Sequence, residues 1–240
     1  TTSCYFGKLG ITGSPLSTGI LSNGLPYIIL EYVEGITHDD LGTLSKQEVG
    51  FLNQCLKKLH SQNPPGLRSH YSPLDFLLTH RSLVENHQSL SKCSESLSML
   101  LQSFNEISET LLEYAEILGS WSMTVMHGDL WIPNVVFQPE KAVLVDFESC
   151  AFGEDHYDLA HMLESPADVI DPPPRLLEGY DEGRIEELRP VALGFLIWWS
   201  LERLLSTESD LIEPNLNTAE SWQAVMDYTG MKIDRLKDIL

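Results

Sequence analysis

Residues 124–147 constrain this chain more than any other stretch. Two short runs rich in β-branched and aromatic residues, Val135-Val136-Phe137 and Ala142-Val143-Leu144-Val145, flank a turn at 138–141. Runs this short, separated this closely, read as a hairpin whose main consequence is to place a loop at each end. One loop holds His127-Gly128-Asp129, with Asn134 five residues after the Asp. The other holds Asp146, twelve residues beyond Asn134. A fold that contains this hairpin must bring two polar loops to the same end of it.

The sequence around the hairpin is largely helical. Ser45-Lys46-Gln47-Glu48 has the form of a capping box, in which Ser and Glu each satisfy the other's backbone N–H. Phe51, Leu52, Cys55, Leu56 and Leu59 follow at helical spacing, so this helix is expected to end near His60, before Pro64-Pro65. From about Ser82 to Gly119 the periodicity is again helical, with a break near Ser94. Leu97, Leu100, Leu101, Phe104 and Ile107 form one apolar stripe there. Residues 165–183 read as a loop, and helices are expected at about 185–206 and 218–238. The first segment, to about Gly35, reads instead as strands and turns punctuated by glycines. Asn23-Gly24 signals a hairpin, and Tyr27 to Val33 reads as a buried strand.

Composition narrows the partners. The chain of 240 residues carries a formal net charge of −20. Residues 121–240 hold 23 acidic and 8 basic side chains, against 12 and 7 in residues 1–120. Nucleic acid is excluded as a partner, because phosphate binding needs clustered Lys and Arg. The acidity either keeps the protein soluble or attracts a cationic small molecule. Four cysteines (Cys4, Cys55, Cys93 and Cys150) show no paired spacing, which argues against a zinc site and for reduced thiols. The longest apolar run, Val191 to Trp199, is too short to span a membrane. These features point to a cytoplasmic protein without membrane partners.

The two loops carry the elements of phosphoryl transfer. That chemistry requires a carboxylate to orient the accepting hydroxyl, oxygen ligands for magnesium and a cradle for the nucleotide. Asp129 can take a hydroxyl proton, and Asn134 and Asp146 can offer oxygens to a hard cation. His127-Gly128-Asp129-Leu130-x-x-x-Asn134 resembles the signature of the aminoglycoside phosphotransferase and choline kinase superfamily. Val145-Asp146-Phe147-Glu148 is similar to that family's metal-binding loop, and Tyr157-Asp158-Leu159-Ala160 to its downstream element. Leu56-x-x-Leu59-His60 resembles its helix end, and residues 26–35 the strand and hinge that hold adenine.

The resemblance implies an α+β, protein-kinase-like fold. Residues 1–35 would be the remnant of an incomplete N-terminal β lobe with the hinge strand. Residues 36–240 would be a mostly helical C-terminal lobe with a catalytic β-hairpin. It implies an enzyme that uses ATP or GTP with Mg2+ to phosphorylate a small hydroxylated, amine-bearing molecule. Asp129 becomes the catalytic base, Asn134 and Asp146 the metal ligands, and Glu31, Tyr32 and Val33 the adenine contacts. His127 and Asp158 become supports of the loop.

Some readings stay open. Glu148 either meets the acceptor or is a solvated carboxylate. Trp198 and Trp199 either face a cationic acceptor or pack in a helix core. His60 reads as a packing residue. Residues 9–45 contain neither Lys nor Arg, so the glycines at 7, 10 and 13 read as turns rather than a phosphate-binding loop. A non-catalytic or partner-completed kinase-like module is the alternative to an active enzyme.

Overall fold

The computed structural model describes residues 2–39, 41–67, 69–88, 94–166, 176–208 and 219–240. Cys93 and much of the expected 165–183 loop lie outside them. The chain forms two compact units, Thr1–His70 with Ser122–Ile185 and Tyr71–Trp121 with Glu186–Leu240.

The first unit opens with a helix, α1 (Thr2–Lys8), where strands and turns were expected. Gly7 is a poor helix former, but Phe6 is fully buried and its ring lies 5.1 Å from that of Phe147. Tertiary burial of one aromatic outweighs weak local propensity over so few residues. The chain then forms an antiparallel hairpin of β1 (Pro15–Ile20) and β2 (Pro26–Leu30). Gly24 takes φ 86° at its turn, and the Asn23 side chain accepts from the Leu25 N–H. The strand expected to be buried is exposed at every position of β2. Among the described residues these two strands make a sheet of their own, with no third strand.

Helix α2 (Lys46–His60) follows with the expected capping box, Ser45 and Glu48 bonding each other's backbone. Leu52, Leu56 and Leu59 are fully buried on the face that packs against the central hairpin. Each contributes about 1.5–3 kcal/mol of apolar burial. β3 (Thr124–Met126) enters the site region. β4 (Val135–Gln138) and β5 (Lys141–Leu144) form the hairpin foreseen from the sequence, paired Val135 to Leu144 through Gln138 to Lys141. β6 (Ala151–Gly153) returns to pair with β3, and α5 (Asp155–Glu164) closes the unit's core.

The second unit is helical. Its α3 (Pro73–Gln88) begins nine residues before the expected start at Ser82. The Ser72 Oγ accepts from the Asp75 N–H, and Pro73 occupies the first helical position. α4 (Glu95–Leu118) is capped by Ser94 and buries Leu97, Leu101 and Phe104 of the expected stripe. α6 (Glu182–Glu208), all but its first turn in this unit, and α7 (Ala219–Ile239) match the two late helices expected. Against Gly194 of α6, an added Cβ would stand 2.5 Å from a Leu111 methyl, so glycine permits α4 and α6 their close approach.

Candidate active site

Asp158 organises the site. It stands in the first turn of α5, is fully buried, and its carboxylate accepts three hydrogen bonds. The His127 N–H donates at 2.7 Å, the Gly128 N–H at 2.9 Å and the His60 Nε2–H at 3.0 Å. His60 then accepts at Nδ1 from the Tyr180 hydroxyl at 2.8 Å. A buried carboxylate is tolerated when its oxygens are this well satisfied, and charge-assisted bonds are the stronger kind. Asp158 therefore clamps the backbone just before Asp129. The His127 side chain braces the other loop, donating from Nε2 to the Val145 carbonyl at 2.9 Å.

Gly128 is fixed by geometry. It adopts φ 86°, and a Cβ there would meet the Ser149 carbonyl oxygen at 2.3 Å. Asp129 follows with its side chain 31% exposed, so its carboxylate reaches solvent from a buried loop. The Asn134 Nδ2 donates to the Asp129 carbonyl at 3.0 Å. That bond commits the amide nitrogen and leaves Oδ1 as an oxygen donor. The Val145 N–H donates to the Asn134 carbonyl at 3.0 Å, which ties the two loops side by side. Asp146 is exposed and takes φ 63°, the left-handed region that side chains other than glycine rarely adopt. Strain of this kind, of order 1–3 kcal/mol, persists where surrounding structure enforces it. Here the Val145 bonds and the Phe147 ring, 4.6 Å from that of His127, do so. Asn134 Oδ1 and the Asp146 carboxylate are hard oxygen donors on adjacent loops, a set that fits magnesium.

A cleft of about 490 Å³ lies beside these loops. Glu31, Tyr32 and Val33 form one wall, and the apolar side chains of Leu30, Val136 and Val145 line it. The next residues are pinned to the central hairpin, since Ile36 and Phe137 exchange backbone hydrogen bonds of 2.9 and 2.8 Å. A flat base fits between apolar walls of this kind, with backbone groups at its edge. Val145 belongs to the cleft and is bonded to Asn134, so the cleft opens next to Asp146. Among the described residues lining it, none is Lys or Arg.

Of the residues singled out from sequence, Glu31, Tyr32, Val33, His127, Asp129, Asn134, Asp146, Glu148 and Asp158 all belong to the first unit. Glu148 is exposed. Trp198 and Trp199 belong to the second. Trp198 is buried with its ring edge-on to Phe104 at 5.0 Å. Trp199 is 38% exposed, with the Arg203 guanidinium 4.6 Å over its ring.

Two further residues stand near the loop. His60, read from sequence as a packing residue at a helix end, also bonds Asp158 through its ring. The other is His161, whose Nδ1–H donates to the Leu130 carbonyl at 2.8 Å and whose Nε2 lies 3.6 Å from Asp129 Oδ1. Its i, i+3 spacing from Asp158 was the available signal, because such residues share a helix face.

Comparisons with known proteins identify the family and the fold. The profile of the phosphotransferase enzyme family matches residues 14–193, and the chain belongs to that family. No curated protein matches the sequence. Solved structures with the same kinase-like fold include choline, ethanolamine and aminoglycoside kinases. The Plasmodium vivax ethanolamine kinase superposes with a TM-score of 0.64 at 16% identity, over 99% of this chain and 72% of its own. The Streptococcus pneumoniae choline kinase gives 0.60 at 15% identity, over 94% and 76%. A spectinomycin phosphotransferase in complex with ADP and spectinomycin gives 0.59 at 12% identity, over 96% and 78%.

Proposed function

We propose that this chain transfers the γ-phosphoryl group of ATP or GTP to a hydroxyl of a small, amine-bearing molecule. The observation that carries the proposal is the Asp158 clamp, which holds the loop bearing Asp129 and Asn134 beside the loop bearing Asp146. In this reading the base lies in the 490 Å³ cleft against Glu31, Tyr32 and Val33. Asp129 orients the acceptor hydroxyl and takes its proton as the new bond to phosphorus forms. Asn134 Oδ1 and Asp146 would hold magnesium, which would supply positive charge to offset that of the phosphate groups. His127 and Asp158 hold the loops in register. Residues 1–35 supply the hinge side of the nucleotide site, and residues 36–240 carry the remaining machinery.

The acceptor class rests on charge and on likeness. Residues 121–240 hold 23 acidic side chains against 8 basic ones. Structural relatives include kinases of choline and of ethanolamine, both small amino alcohols. A cationic alcohol is attracted to such a surface, and attraction raises its local concentration. The test measures ADP release with Mg-ATP over a panel of choline, ethanolamine, aminoglycosides and neutral sugars. Turnover of the amines supports the assignment. Turnover confined to neutral sugars removes the electrostatic argument.

A second reading is a nucleotide-binding module that a partner completes. The lack of Lys or Arg among the described cleft residues favours it, since the phosphates then lose their cradle. Tight Mg-nucleotide binding without transfer to any of these acceptors would support it.

A further inference from the structure

Beneath Asp129 lies a buried histidine that neither loop motif includes. His161 sits on α5 three residues after Asp158 and is 1% exposed. Its Nδ1 lies 2.8 Å from the Leu130 carbonyl and 3.2 Å from the Ser165 Oγ. The Ser165 hydroxyl spends its own proton on the His161 carbonyl at 2.6 Å. Both neighbours of Nδ1 are therefore acceptors, and Nδ1 must carry the ring proton. In the uncharged ring this leaves a lone pair on Nε2, and Nε2 is the atom turned to Asp129 Oδ1 at 3.6 Å. Burial disfavours the charged ring and lowers its pKa, against the pull of Asp129 and Asp158. The other groups facing it are His127 and Tyr157, the latter with its ring 5.9 Å away.

We infer that His161 is a positioning residue for phosphoryl transfer, offering Nε2 as the hydrogen-bond acceptor for the proton that Asp129 takes from the substrate hydroxyl. The inference rests on the reading of Asp129 as the base. Before reaction, carboxylate and imidazole nitrogen face each other with room for one proton between them. During transfer the acceptor O–H bond breaks, and its electron pair forms the new O–P bond. The bond from the γ-phosphorus to the bridging oxygen breaks, and that pair leaves with the nucleoside diphosphate. The proton passes to Asp129. There Oδ1–H can turn to Nε2, and the 3.6 Å gap closes to hydrogen-bond length. The bond stabilises the protonated carboxyl on the side that faces the protein interior. The proton returns to solvent when product leaves. His161 thus acts on the proton's destination, while Asp158 acts only on the loop's position.

Asparagine separates the two roles. In His161→Asn the amide nitrogen can replace Nδ1 as donor to the Leu130 carbonyl, but nothing replaces Nε2. We expect kcat to fall at least about tenfold, a modest share of what proton-transfer groups contribute. KM for nucleotide and acceptor should stay within about twofold, with the melting temperature little changed. A His161→Asn enzyme with unaltered kcat and intact fold overturns the inference. A second measurement keeps it open to refutation if the variant folds poorly. The imidazole 15N spectrum of the unaltered protein should show Nδ1 protonated and Nε2 bare, and the reverse tautomer overturns it. Asp129→Ala, assayed alongside, reads the underlying assignment separately. Loss of transfer there with normal His161→Asn turnover removes the inference alone, whereas normal transfer in Asp129→Ala removes the base itself.

Discussion

Asp158→Asn perturbs the site with almost no change in volume. The carboxylate accepts from His127, Gly128 and His60, with Oδ2 serving two donors and Oδ1 one. An asparagine has one acceptor oxygen and one NH2 group. Its best placement puts the carbonyl at the Oδ2 position, leaving the NH2 against the Gly128 N–H. One buried donor is then orphaned and faces another donor, and the charge assistance is lost from the remaining bonds. A buried unsatisfied donor costs about 1–3 kcal/mol, and hydrogen bonds to charged groups are worth about 1.5–3 kcal/mol. A net loss of about 2–3 kcal/mol follows, which for a chain of this length lowers the melting temperature by roughly 5–10 °C. Amide hydrogen exchange at His127 and Gly128 supplies the local readout. Exchange at Gly128 should accelerate more than at His127, because the carbonyl still serves His127. A melting temperature within about 1 °C of the parent, with both amides equally protected, refutes the claim that Asp158 clamps the loop.

Other outcomes follow from single contacts. Gly128→Ala places a Cβ 2.3 Å from the Ser149 oxygen at φ 86°, so it should lower stability by more than the roughly 1–2 kcal/mol of left-handed strain alone, as read by urea unfolding. The Ser45 side chain, then the Ser45 N–H and His38, hold the Glu48 carboxyl down to about 2. Because that pKa is depressed in the folded state, its contribution is present above the unfolded value near 4.5 and is lost as pH falls toward 2. Glu48→Gln should therefore flatten the acid limb of stability in that window in a pH series of melting curves. Burial pushes the Cys55 and Cys150 thiols up to about 12, so both should resist iodoacetamide at pH 8 until the protein is unfolded.

What the sequence disclosed and what it hid divide along a physical line. The central hairpin, the spacing of Asp129, Asn134 and Asp146, and the Ser45 cap are local patterns, and local patterns survive in one dimension. The start of α3 at Pro73 was missed, although Ser72-Pro73-x-Asp75 carries a helix-start signal. Helix α1 was hidden because Gly7 argues against it and only the burial of Phe6 against Phe147 argues for it. The strand β2 misled for the opposite reason. Its apolar run has the composition of a buried strand, but burial depends on what lies over it, and each of its positions is exposed. His60 reaches Asp158 across 98 positions of sequence, and no periodicity predicts such a pairing. His161 was closer to view, since its helix spacing from Asp158 places both on one face.

The central claim is that Asp129 receives the acceptor proton in a site whose nucleotide binding does not depend on it. The most direct measurement compares the parent with Asp129→Ala for phosphoryl transfer and for Mg-nucleotide affinity by calorimetry. Transfer should fall by about 10²–10⁴-fold, the range a proton-transfer group supplies, with affinity within about twofold. An Asp129→Ala protein that transfers phosphate at the parent's rate would contradict the account.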